Sequence, residues 1–277
     1  ASYNTAVGYN ALNVATTAAQ NTAVGYKAMT TATTGGYNTA VGAESLHALT
    51  TGNYNTAVGR GSGNATTSGL YNTAVGYHAL LTNTTGNANT AIGYLSLLDN
   101  TTGVSNTAVG ITTLQNNTTG TYNTAIGEGA LDANSTGSHN AACGAYALYK
   151  ATTSYNTGMG RYALHELTTG HSNTALGNHA GTVITTGNYN TCIGYDAEVS
   201  GATTSGEMVL GDSNIATLRC NTSTISALSD ARDKKEVESL PLGVDFLNKL
   251  NPVKFLWDTR EGNTKDGTYE IGFIAQE

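Results

Sequence analysis

The strongest constraint on the fold of this chain is a motif that returns at a fixed interval along most of its length. The commonest form is Asn-Thr-Ala-Val-Gly, and successive copies start 17 residues apart, with a single step of 16 residues. A unit this short cannot bury a core by itself, so neighbouring units must stack and share one. The period therefore predicts a solenoid. Positions are numbered from 1 at the motif Asn of each unit, and the twelve motif residues are Asn4, Asn21, Asn38, Asn55, Asn72, Asn89, Asn106, Asn123, Asn140, Asn156, Asn173 and Asn190.

Each unit contains one segment with the pattern of a short β-strand. Thr, Ala and Val alternate in polarity and a Gly follows them, which is typical of a strand that ends in a tight turn. The next residues, often a large side chain and then Ala-Leu, fit either a single helical turn or a second short strand, and Thr-Thr-Gly closes the unit as a turn. Equivalent positions of stacked units lie about 4.8 Å apart. The sequence thus predicts an all-β, parallel β-solenoid over residues 1–200, with the motif Asn side chains hydrogen-bonded in a ladder.

The apolar residues of the motif are small, which bears on the number of chains. Ala and Val bury little surface within one slender coil, so we expect several chains to associate. The prediction is a parallel homotrimer whose interface is lined by small apolar motif residues such as Ala57, Val58, Ala74 and Val75.

Charge is sparse and unevenly distributed. The net charge is −7, and residues 1–200 contain only four basic side chains, whereas the last 77 residues contain eight. Without a basic surface there is no electrostatic basis for binding the phosphates of nucleic acid. No apolar run reaches the roughly 18 residues that cross a bilayer, so we expect no membrane insertion. The four basic residues of the first part are Lys27, Arg60, Lys150 and Arg161.

The cysteines and histidines do not form a recognisable metal or cofactor motif. Cys143 and Cys192 replace the Val and Ala of the motif, and Cys220 lies outside the repeats. Their odd number and wide spacing favour buried small hydrophobic residues over a disulfide or a metal site. The six histidines share no ligand spacing. We therefore expect no cofactor and no metal.

A Tyr often precedes the motif Asn, as at Tyr37, Tyr54 and Tyr71. Exposed aromatic rings at such positions either stack on sugars of a host surface or cover the neck of each coil.

Two parts of the chain resemble known families. The Asn-Thr-Ala-Val-Gly units resemble the repeats of phage tail fibres and, more distantly, the heads of trimeric autotransporter adhesins. The segments "LGDSNIATLRCNTSTISALSDARDKKEV", "FLNKLNPVKFLWD" and "IGFIAQE" resemble the intramolecular chaperone auto-processing domain at the C-termini of phage tail fibres and tailspikes. The resemblance implies three parts: a repeat shaft over 1–200, a β-strand neck over 201–228, and the start of an α+β chaperone domain over 229–277.

The resemblance also implies a self-cleavage site. Ser229, Asp230, Arg232 and Lys234 occupy the places of the family pattern, with Ser229 as nucleophile and Lys234 as its base. A Ser hydroxyl needs such a base, and a Lys serves only when its pKa is lowered. The implied cut lies between Ser229 and Asp230. Without the resemblance, the same segment is typical of a capped helix start, with Ser229 or Asp230 as N-cap and Glu236 in the first turns.

The functional hypothesis is a structural and host-binding viral tail fibre, extracellular on the virion. Its chaperone drives trimer assembly and is then removed in a single turnover; we expect no other enzymatic activity. The implied partners are two further copies of the chain, other tail proteins, and a glycan or protein of the host cell surface. Two alternatives remain: a bacterial trimeric surface adhesin with a similar chaperone, and an ice-binding solenoid whose Thr rows order water. In several units the Thr-Thr-Gly sequence is altered, which breaks the regular Thr rows that an ice-binding solenoid would need.

Overall fold

The computed structural model describes residues 2–217 and two further strands, Val253–Phe255 and Glu270–Gly272. The chain divides into two compact units, Ala1–Leu218 and Arg219–Glu277. Every regular element among the described residues is a β-strand. The predicted all-β fold class is therefore confirmed.

Each coil contributes one strand of three residues, and thirteen such strands form one sheet in chain order. All of them pair in parallel and without offset; Ala40 lies opposite Ala57, for example, and Val41 opposite Val58. The predicted parallel β-solenoid is confirmed. The strands are β1 (Thr5–Val7), β2 (Thr22–Val24), β3 (Thr39–Val41), β4 (Thr56–Val58), β5 (Thr73–Val75), β6 (Thr90–Ile92), β7 (Thr107–Val109), β8 (Thr124–Ile126), β9 (Ala141–Cys143), β10 (Thr157–Met159), β11 (Thr174–Leu176), β12 (Thr191–Ile193) and β13 (Met208–Leu210).

The Gly at position 5 ends each strand because the backbone turns sharply there and touches the next coil. Gly76 has φ +136°, and a Cβ at this residue would lie 2.4 Å from the carbonyl oxygen of Gly93. L-residues rarely adopt this backbone conformation, and the close approach leaves no room for a side chain. Position 5 therefore has two independent reasons to be Gly.

Positions 6 to 11 form a run of turns, so the expected helical turn or second strand at this place was wrong. Residues at positions 7 and 9 have positive φ, as at Leu95 (54°) and Leu97 (51°). Their amides bond to neighbouring coils, Leu95 N–H to the oxygen of Tyr77 (3.1 Å) and Leu97 N–H to that of Thr113 (2.9 Å). One amide bonds to the coil before and the other to the coil after. The backbone N–H groups of this segment therefore have hydrogen-bond partners without forming a helix or a strand.

The core is a narrow column inside the coils. In one unit Ala91, Ser96, Leu97 and Asn100, at positions 3, 8, 9 and 12, are all fully buried. Position 9 supplies the bulk, since it is Leu or Met in most coils, whereas positions 3 and 8 are small. The small residues let the two walls of the coil approach and enclose the Leu column.

The single 16-residue unit is accommodated at its closing turn. The Gly of position 15 is missing there, and Asn140 Nδ2 donates to the carbonyl oxygen of Thr153 at 2.7 Å instead. Strand register is kept on both sides. The sheet continues past residue 200 into β13, within the segment predicted as a neck. In the second unit, β14 (Val253–Phe255) and β15 (Glu270–Gly272) pair antiparallel.

Candidate functional surfaces of the repeat shaft

The motif Asn residues lie in one column inside the solenoid. At each of the eleven steps, the backbone N–H of one motif Asn donates to Oδ1 of the Asn one coil earlier, at 2.9–3.0 Å. The side-chain Nδ2 donates to a carbonyl oxygen in the closing turn; Asn72, for instance, bonds to Gly86 at 2.9 Å. Each Asn thus joins its own coil to the coil before and the coil after it. This column is structural.

A second Asn column at position 12 was missed in the sequence. Nδ2 of Asn100, Asn117 and Asn134 each donates to Oδ1 of the Asn one coil earlier, at 2.8–3.0 Å, and the column begins at Asn83. At its two ends the Oγ1 of Thr66 and the Oδ1 of Asn134 are buried without a hydrogen-bond partner among the described residues. The signal was an Asn recurring at position 12 in four consecutive units.

Positions 2 and 4 of every coil point out of the solenoid along one side of the sheet, and we call this surface the strand face. Position 2 is Thr in most coils and position 4 is an exposed Val, Ile, Met or Leu, as at Val58 (37% exposed) and Leu176 (50%). Of the residues expected to line a trimer interface, Val58 and Val75 belong to this face. Ala57 and Ala74 do not: they are 0% and 2% exposed inside the coil, because adjacent residues of a strand point to opposite sides.

The described cysteines follow the same alternation. Cys192 at position 3 is buried, as predicted, and burial raises the pKa of its thiol to about 11. Cys143 at position 4 is exposed on the strand face, so its expected burial was wrong. Both are free thiols. Cys220 lies outside the described residues.

The tyrosines at position 17 are exposed and stack on one another. Tyr37, Tyr54 and Tyr71 are 53%, 49% and 60% exposed, with ring centroids 5.0 and 5.2 Å apart and nearly parallel planes. Tyr54 is therefore covered on both faces by its neighbours, whereas Tyr37 and Tyr71 each stack on one face only. A sugar can reach the rings at the ends of this stack but only the edge of Tyr54.

Charged side chains are confined to one arc of the coil. Every Lys, Arg, Asp and Glu among residues 2–200 lies at positions 6 to 11, which we call the charged arc. These residues are Lys27, Glu44, Arg60, Asp99, Glu128, Asp132, Lys150, Arg161, Glu166, Asp196 and Glu198.

The charged arc contains a shallow cleft of about 250 Å³ beside Tyr162. His165 and His179 stand edge-on to the Tyr162 ring, each with its centroid 5.1 Å away. Lys150 Nζ lies 2.5 Å from the carboxylate of Glu166, and this hydrogen bond is the main reason that the pKa of Glu166 lies below its usual value. An aromatic ring flanked by imidazoles and a carboxylate is the kind of surface that binds polar ligands with apolar faces, such as sugars.

The residues implied in self-cleavage, Ser229, Asp230, Arg232 and Lys234, lie outside the described residues, so their roles stay predictions. Within the described part of the chain, no group of three or more His, Cys, Asp or Glu side chains is arranged to hold a metal ion. The same part has no helix long and apolar enough to cross a membrane.

Comparison with known proteins gives one match. Residues 229–277 match the family model described as the chaperone of endosialidase. No curated protein and no solved structure matches the chain. A parallel β-solenoid together with a match to this chaperone family fits a phage tail fibre that carries a chaperone domain.

Proposed function

We propose that this chain forms the shaft of a trimeric viral tail fibre whose segment from residue 229 guides assembly and is then removed by self-cleavage. The observation that carries the proposal is the family match over 229–277 in a chain whose preceding residues form a solenoid of closely similar coils. A long stack of near-identical coils offers many equivalent pairings between chains. An assembly chaperone that fixes the register between chains would select one of these pairings.

The proposed chemistry is the hydrolysis of one peptide bond. Lys234 takes the hydroxyl proton of Ser229, whose oxygen then acts as nucleophile; this requires a lowered pKa at Lys234. The oxygen forms an acyl bond as the C–N bond between Ser229 and Asp230 breaks, and Lys234 passes the proton to the departing amine of Asp230. One water then hydrolyses the acyl bond, which leaves a carboxylate on Ser229 and restores its hydroxyl. Asp230 and Arg232 belong to the same proposed site.

The test is the full chain with Ser229→Ala or Lys234→Ala, examined on denaturing gels. Both variants should stay whole while still assembling, because cleavage follows assembly. Normal cleavage of the Ser229→Ala chain would remove Ser229 from the mechanism, and normal cleavage of the Lys234→Ala chain would leave the base unassigned.

Host binding is proposed for the charged arc, since charged and aromatic side chains cluster there around Tyr162. Tyr162→Ala should weaken adsorption of the fibre to the cells that the virus infects. The control is Tyr54→Ala, which removes an exposed ring from the tyrosine column. Equal adsorption of the two variants would place recognition elsewhere.

One observation favours a second candidate function, ice binding. Thr recurs at position 2 of the sheet in eleven of the twelve repeat strands, about 4.8 Å apart, the exception being Ala141. Regular hydroxyl and methyl groups of this kind can order water. A thermal hysteresis assay on the purified shaft tests this function, and the viral fibre predicts none.

A further inference from the structure

We propose that the strand face is the surface through which copies of this chain pack, parallel and in register around one axis. The inference rests on the proposed trimer and assigns its interface. It concerns the outward side chains of positions 2 and 4 along β1 to β13.

An exposed apolar column runs along position 4 of the strand face. Ile92, Ile126, Met159 and Leu176 are 39%, 42%, 44% and 50% exposed, and branched or long apolar residues fill almost every other rung. Continuous apolar surface of this length is unusual on a monomeric protein in water and marks an interaction site. Nothing within the described coils covers it.

Charged side chains and the strand face lie at different positions of the coil. No Lys, Arg, Asp or Glu occurs at positions 2 or 4 in any of the twelve units, whereas all eleven such residues lie in the charged arc. Interface cores are depleted of charged residues. The two surfaces therefore suit different surroundings. The strand face suits contact with another protein surface, and the charged arc suits contact with water or a ligand.

The spacing of the rungs indicates that the partner is a second copy of the chain. The strand face repeats about every 4.8 Å over about 58 Å, and only a surface with the same repeat matches it rung by rung. Another copy of the chain has this repeat. Rotation about a threefold axis parallel to the solenoid keeps all copies parallel and brings each rung to the level of its own counterpart.

The size of the face is sufficient. A strip about 10 Å wide and 58 Å long covers on the order of 600 Å², which is comparable with the roughly 800 Å² that each partner of a stable complex buries.

The first experiment compares two matched substitutions in the full-length chain. Val58 on the strand face and Val183 at position 11 of the charged arc are 37% and 42% exposed, so neither change to Lys disturbs the core. In sedimentation, Val183→Lys should remain trimeric like the wild type. Val58→Lys places three ammonium groups at one level of the axis and should yield monomers, since like charges juxtaposed at an interface oppose association.

The outcomes separate the inference from the proposed function. A trimeric wild type with a trimeric Val58→Lys chain overturns the assignment of the strand face and leaves the trimer intact. A monomeric wild type overturns both.

The second experiment leaves the shaft of the cross-linked chain unchanged, so a positive result does not depend on the folding of a shaft variant. Cys143 lies on the strand face, and in parallel, in-register copies the Cys143 residues meet. In a chain with Cys220→Ser, mild oxidation with copper phenanthroline should join two Cys143 thiols. The two thiols lose their protons, one S–S bond forms, and two electrons pass to the oxidant.

Because a third copy has no partner thiol left, the expected product on a non-reducing denaturing gel is a two-chain band beside a single-chain band. If Cys143→Ser abolishes this cross-link, the result supports the in-register packing of the strand face. A trimer that shows no Cys143 cross-link contradicts the in-register packing of the strand face.

Discussion

Replacing Asn72 by Ala should remove one rung of the internal Asn ladder and destabilise the shaft strongly. Asn72 Nδ2 donates to Asn55 Oδ1 at 3.1 Å and to the carbonyl oxygen of Gly86 at 2.9 Å. Its Oδ1 accepts the backbone N–H of Asn89 at 3.0 Å. The substitution leaves the Asn89 amide buried without its partner, whereas the Gly86 carbonyl keeps a hydrogen bond from Asn83 Nδ2 at 3.1 Å.

A buried group left unpaired costs about 1 to 3 kcal/mol, so the expected loss is about 1 to 3 kcal/mol of unfolding free energy. Chemical denaturation followed by circular dichroism measures the loss. Amide hydrogen exchange locates it, because the Asn89 N–H should exchange much faster in the variant.

The matched control is Asn116→Ala. Asn116 is exposed, and its Nδ2 donates to the carbonyl oxygen of Asp132 at 2.9 Å, in contact with water. Its loss should change stability by less than about 0.5 kcal/mol. If Asn72→Ala were as mild as Asn116→Ala, or left Asn89 protected from exchange, the ladder would not be the source of stability inferred from its geometry.

The contacts inside the shaft lead to three further predictions. Thr66→Val should be neutral or stabilising, because it removes a buried hydroxyl without a partner among the described residues. Thr113→Val should cost about 0.5 to 1.5 kcal/mol, because the Gly127 carbonyl loses a 2.8 Å hydrogen bond and keeps only the one from the Ala130 amide. Thermal melts compare the two variants. Gly76→Ala should prevent normal stacking, since its Cβ would meet Gly93 at 2.4 Å, while Gly201→Ala, with nothing closer than 3.4 Å, should be tolerated; expression and melting temperature decide. Cys192 should resist iodoacetamide in the folded chain at pH 8 and react faster only as pH approaches about 11, because its raised pKa keeps it a thiol; rapid labelling at pH 8 would contradict its burial.

The strand positions and the Asn ladder could be predicted because both follow from the period alone. Any residue that recurs every 17 positions in a stack must lie above its own copy, whatever the shape of the coil. The direction of each side chain was equally available from strand alternation, and the placement of Ala57 and Ala74 in an interface ignored it. The small size of these alanines suggested that they pack between chains. In the structure their small size instead lets the two walls of one coil approach each other.

The turn segment could not be predicted from local propensity. Leu95 and Leu97 adopt positive φ, which costs roughly 1 kcal/mol or more for such residues, and their amides bond to coils before and after them. Those partners are 16 to 18 residues away in sequence, beyond the reach of patterns read along one unit. The second Asn column was missed because position 12 also holds Ala, Leu, Thr and Ile in other coils.

The decisive measurement is the mass of the full-length chain, first in native and then in denaturing solution. We expect a native particle of three chains and, after denaturation, single shaft chains that end at Ser229, together with a separate fragment that begins at Asp230. A folded, uncut monomer at micromolar concentration would contradict both the trimeric fibre and its processing.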